Sequence, residues 1–165
     1  MPTHPSLNNR GITLIDGISY SKRSLCVRCH HPVCSNYATL SCKDFIPAIT
    51  FKYPIKGIDN DVFNTFRIGE AWFKRVKEGS LVALVEVKEN TIVGYCKVLS
   101  VYVGGKLEMA KLYGKDNHTM QSMNLSHESN DIIALSMLDR LRKTNGKMIY
   151  DSSDFVTVIY LTRVK

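Results

Sequence analysis

Four cysteines crowd into seventeen residues at positions 26, 29, 34 and 42, beginning with Cys26-Val27-Arg28-Cys29-His30-His31-Pro32-Val33-Cys34. A C-x2-C pair lets two thiolates grip one ion from a tight turn, and two more thiolates close the tetrahedron that a structural Zn2+ prefers. Deprotonated sulfur also suits that metal's soft side. The fifth cysteine makes the count odd, unlike the paired framework of a secreted disulfide scaffold. Cys26, Cys29, Cys34 and Cys42 are therefore expected to hold zinc. The gaps after the first pair, four and then seven intervening residues, depart from the second C-x2-C of a zinc ribbon and from the common ferredoxin spacings. His30 or His31 stands as an alternative to Cys34, and reduced cysteines packed as small apolar side chains are the plain alternative to any metal. With four protein ligands no coordination position is open to water, so the expected metal holds structure and does no chemistry.

A chain of 165 residues with 44% apolar content can bury one ordinary core with a small accessory module. We read residues 1–25 as a partly flexible arm, 26–45 as the zinc-binding segment and 46–165 as the main folded domain. Lys and Arg number 22 against 15 Asp and Glu, a formal net charge of +7. Such a surplus favours a polyanionic partner, through attraction to phosphate and counterion release. No run reaches the roughly 18–20 apolar residues of a membrane span, and Met1-Pro2-Thr3-His4-Pro5 lacks the charged and apolar regions of a signal peptide. The expectation is a soluble, cytoplasmic protein without a membrane partner, resident in the host cytoplasm if the chain is viral.

Local patterning predicts an α+β fold. Ile49-Thr50-Phe51-Lys52-Tyr53 is β-branched and aromatic and stops at Pro54, which marks a strand. Residues 69–79 read as a short helix closed by Gly79. The runs 81–87 and 91–103, separated by Lys88-Glu89-Asn90, read as two strands of a hairpin, the second carrying Cys96 as a buried residue. Residues 107–113 fit a helical turn or a strand, and 114–128 a loop with short elements. Ser129-Asn130-Asp131 is a helix-capping cluster, followed by Ile132, Leu135, Leu138 and Leu141 at every third position, with Ile133 and Met137 alongside, up to Asn145-Gly146. Residues 155–164 form a last strand. The hairpin is antiparallel, and with no helical crossover evident between consecutive strands a small curled sheet or barrel is expected rather than a parallel sheet.

The order of these elements, with Asn64-Thr65-Phe66-Arg67-Ile68-Gly69-Glu70-Ala71-Trp72 opening the short helix, resembles the ASCH domain family of PUA-like folds. The resemblance spans Ile49 to about Val103. It rests on a Thr-x-Arg segment followed by a Gly-acid step and a helix, and Asn117-His118 agrees more loosely. It implies a PUA-like pseudo-β-barrel with two or three helices, and a cleft beside Thr65-Phe66-Arg67 in a superfamily associated with RNA or modified nucleotides. Some family members resemble amidohydrolases acting on an acylated cytidine through a lysine a few residues before the threonine. Here Asp61, Val62 and Phe63 stand in that place, Lys56 is too far back, and the catalytic pattern is broken.

Arg67 offers a planar fork of donors to a phosphate or base edge, and Thr65 lies two residues away on the same strand face. Lys74 and Arg75 would extend the basic surface. Trp72, the chain's single tryptophan, would either stack on a base or pack the short helix on the sheet. Glu86 near a strand end is expected to be solvated. The leading expectation is a module that binds RNA, DNA or a modified nucleotide. One alternative is a nucleoside- or nucleic-acid-processing enzyme using Glu70 and His118 as acid–base groups. Another is an adaptor whose zinc segment binds a protein partner.

Overall fold

The computed structural model describes residues 12–15, 18–21, 47–52, 54–88, 91–125 and 127–164, the first two stretches as backbone alone. Cys26, Cys29, Cys34 and Cys42, with His30 and His31, lie outside the described residues. Among the described residues no group of three or more His, Cys, Asp or Glu is placed to hold a metal ion, and no helix is long and apolar enough to cross a membrane.

Among the described residues, seven strands and five α-helices follow one another as β1 (Ile12–Ile15), β2 (Ile18–Ser21), β3 (Ala48–Phe51), β4 (Val62–Ile68), α1 (Ala71–Arg75), β5 (Leu81–Glu86), β6 (Thr91–Gly105), α2 (Lys106–Tyr113), a 3-10 turn (Gly114–Asp116), α3 (His118–Ser122), α4 (Asn130–Asn145), α5 (Lys147–Asp151) and β7 (Phe155–Arg163). The architecture is α+β. β1 and β2 make a two-stranded antiparallel ladder, and β3 to β7 form a mixed sheet in the order β3-β5-β6-β7-β4. By backbone proximity the described residues divide into two compact units, one drawn from 1–53, 80–96 and 164, the other from 54–79 and 97–163.

In the first unit β3 runs parallel to β5, with Ala48 opposite Ala83 and Phe51 opposite Glu86. The sheet is thus mixed, a parallel pairing that the sequence reading does not contain. A parallel pair needs a connection of about a dozen residues or more, and the stretch holding β4 and α1 supplies that length although it is no single crossover helix. Ala48, Ala83 and Val85 form the core with Leu81, Ile92 and Tyr95 against them. Cys96 is fully buried in β6, as its apolar run predicts. Glu86 is buried at 6% exposure, contrary to expectation. Its Oε1 accepts the Lys88 backbone N–H at 2.7 Å, so the turn after β5 supplies a donor that water would otherwise provide.

In the second unit β4 and β7 pair antiparallel over seven residues, from Val62 opposite Thr162 to Ile68 opposite Val156. Phe66, Val156 and Val158 pack against Met109, Ala110, Met120, Ile133, Ala134, Met137 and Leu141 from the helices. Helix α4 starts where its sequence says it should: Ser129 Oγ accepts the Ile132 N–H at 3.3 Å, and Gly146 closes the other end at φ 83°. Its buried stripe is Ile133, Ala134, Met137 and Leu141, whereas Ile132 and Leu135 are exposed. At 3.6 residues per turn a four-residue step stays closer to one face than a three-residue step, so of the three-residue recurrence only Leu141, with Leu138 half-buried beside it, reaches the core. Residues 106–113 take the helical of their two options, and α5 is an element the sequence reading does not contain.

Candidate functional site around Thr65 and Arg67

Alternation along β4 sends Asn64 and Phe66 to the helix-covered face and Phe63, Thr65 and Arg67 to the other. Thr65 is 2% exposed and pairs with Ile159 of β7. Arg67 is half-buried, and burial holds its guanidinium pKa down to about 10 from 12.5. It remains a cation at neutral pH, in surroundings poorer in water than those of a surface arginine.

The segment after the 3-10 turn runs beside β4. Asn117 forms an isolated parallel bridge to Asn64, and its Nδ2 donates to the Asn64 carbonyl at 3.4 Å. Its Oδ1 accepts the N–H groups of Thr119 at 3.0 Å and Met120 at 3.4 Å, which caps α3. His118, the next residue, lies with Nδ1 2.7 Å from the Lys56 carbonyl oxygen. A carbonyl can only accept, so Nδ1 carries the hydrogen and Nε2 is the basic nitrogen. Burial lowers the His118 pKa to about 4. The Lys56 hydrogen bond opposes that shift, while the positive charges of Arg67 and Arg140 add to it. The Lys56 loop comes this close because Gly57 sits at φ 77°, where a Cβ would overlap the His118 carbonyl.

On the helix-covered face Asn64 is fully buried. Its Nδ2 donates to the Tyr113 carbonyl at 2.8 Å, while its Oδ1 is buried without a hydrogen-bond partner. Opposite Asn64 in register is Tyr160, whose hydroxyl donates to Asp116 Oδ2 at 2.6 Å. Burial and then that hydrogen bond hold the Tyr160 hydroxyl well above the usual tyrosine range. Tyr102 stacks on Tyr113 at 4.6 Å, and both meet Tyr160 edge-on at 6.0 and 5.8 Å.

The residues singled out from sequence fall into two groups. Thr65, Arg67 and His118 are held within and beside β4, with Arg67 close enough to His118 to influence its charge. Trp72, Lys74, Arg75 and Glu70 belong to α1 and its N-terminal step, a helix with no buried residue. Trp72 is half-buried and takes the Arg75 guanidinium over its ring at 5.3 Å, a cation–π contact. Lys74 and Glu70 are exposed. Sequence reasoning missed Asn64, Asp116 and their tie through Tyr160. The available signal was an amide at position 64 between Phe63 and Phe66 in a strand, because an asparagine buried among such side chains must find partners or stay costly.

Chemically, β4 carries the half-buried Arg67 guanidinium beside a buried Thr65 hydroxyl, and His118 adds a ring that stays uncharged at neutral pH and has no surplus proton to give. Comparison of the chain with protein-family models, with curated proteins and with solved structures finds no match.

Proposed function

We propose that this chain is a nucleic-acid or modified-nucleotide binding module. In this reading it is an ASCH-like domain of PUA-like barrel type, with its cleft beside Thr65-Phe66-Arg67. A structural zinc held by Cys26, Cys29, Cys34 and Cys42 completes the N-terminal segment. The observation that carries the reading is the half-buried, charged Arg67. A guanidinium in a poorly hydrated setting attracts a phosphate or carbonyl edge more strongly than one in open water. The Arg75–Trp72 pair and the exposed Lys74 on α1 supply the stacking surface and phosphate contacts that such ligands use. The net charge of +7 acts in the same direction.

Binding fits better than turnover. The sequence places no lysine at 61–63, and a His118 that stays neutral at neutral pH is no general acid there. The test is a titration of short single-stranded RNA and DNA, and of acylated and methylated nucleosides, against the full chain. We expect binding without product, weakened about tenfold or more by Arg67→Ala and less by Lys74→Ala. Turnover of any nucleoside, lost on His118→Ala while binding persists, would replace this reading with the enzymatic one.

A further inference from the structure

A cavity of about 360 Å3 opens among residues 115–133 of the second unit, and neither Thr65 nor Arg67 lines it. Its apolar part is Met120, Leu125 and Ile133, of which Met120 and Ile133 are almost completely buried. Its charged part is Asp116, Glu128 and Lys115. Two carboxylates against one lysine give the lining the opposite sign to the chain, whose net charge is +7.

Two of the polar groups are held in place from outside the cavity. Asp116 is anchored by the Tyr160 hydroxyl at 2.6 Å on Oδ2, which leaves Oδ1 as the acceptor that this bond does not use. Tyr160 is held well above its usual pKa, so it stays a donor and Asp116 stays the acceptor. Gln121 is oriented through Asn60. Asn60 Nδ2 donates to the Gly57 carbonyl at 3.1 Å and to Gln121 Oε1 at 2.7 Å. A carbonyl can only accept, which fixes the Asn60 amide and with it the Gln121 amide, whose N–H groups therefore point away from Asn60. Side chains fixed by outside partners are what a binding site requires for specific recognition. The volume is at the lower end of the range for small-molecule pockets, which combine an apolar wall with a few placed polar groups.

We propose that this cavity is a second ligand site, distinct from the Arg67 cleft, and that it takes a small organic cation: a primary amine on a compact apolar body. The ammonium would lie against Asp116 and Glu128, the apolar body on Met120, Leu125 and Ile133, and Gln121 would donate to any acceptor on the ligand. A soft thioether floor favours an aromatic body over an aliphatic one. A carboxylate ligand would meet two like charges, and a neutral isostere would leave the carboxylates without the ion they select.

The experiment uses the full chain, with phenethylamine, phenethyl alcohol and hydrocinnamate as probes, read by calorimetry and by backbone amide shifts. Saturable binding of phenethylamine with shifts confined to residues 115–133 is expected, with phenethyl alcohol and hydrocinnamate at least about tenfold weaker. Asp116→Asn keeps the shape and the Tyr160 contact, and should weaken the amine about tenfold. Glu128→Gln lies on an accessible segment and serves as a second probe should Asp116→Asn fail to fold. Lys115→Met removes the one like charge and should tighten binding. Equal affinity for amine and alcohol, tighter binding of the carboxylate, shifts elsewhere in the chain, or no saturable binding of phenethylamine would each overturn the proposal.

Discussion

His118 shows how much a residue's chemistry depends on what the chain brings beside it. Its position next to Asn117 can be singled out in the sequence. Its neutrality cannot, because the Lys56 carbonyl is 62 residues away and the burial comes from packing. The pH consequence has a definite sign. The folded pKa of about 4 lies below the ordinary 6.5, so between those values the unfolded chain binds a proton that the folded chain refuses. Stability from this group is complete above pH 6.5 and is lost as pH falls towards 4. The loss should be roughly 3 kcal/mol, measured by urea unfolding across that range. His118→Gln should flatten the dependence, and an unchanged slope would remove His118 as its source. Tyr160 was illegible for a similar reason. It is meaningful only through its pairing with Asn64 and its bond to Asp116, 44 residues away.

Elements whose signals are local were legible. Ser129 and Gly146 bracket α4 in the sequence and in the structure, because caps act through neighbouring backbone groups. The facing of that helix was less so, since both three- and four-residue spacings of apolar side chains are present and only packing selects Ile133, Met137 and Leu141. The parallel pairing of β3 with β5 was not legible at all, because pairing partners are set by long-range contacts and no crossover helix announces them. Helix α3 offers the sharpest test at this scale. Asn117 both caps it and donates to the β4 backbone, so Asn117→Ala should cost about 1–2 kcal/mol in chemical denaturation. The same variant should also reduce the pH dependence assigned to His118, since the cap holds that residue beside β4. A loss confined to stability, with the pH profile intact, would separate the cap from the site.

For the molecule as a whole, we propose that a basic chain uses Arg67 to bind a phosphate-bearing ligand, while a zinc held by Cys26, Cys29, Cys34 and Cys42 organises the N-terminal segment. The zinc half is open to direct analysis. About one zinc per chain, with loss of N-terminal order on chelation, is expected where thiolates hold the fold, and full folding of metal-free protein would contradict it. The binding half rests on charge, and charge has a signature that apolar packing lacks: affinity for a polyanion falls steeply as salt rises, in proportion to the phosphates neutralised. The most direct measurement is therefore the affinity of the full chain for a short single-stranded RNA across a salt series, repeated with Arg67→Ala. We expect measurable binding at low salt, a steep decline as salt rises, and a shallower slope with weaker binding for Arg67→Ala. No binding at low salt, or a wild-type slope and affinity in Arg67→Ala, would contradict it.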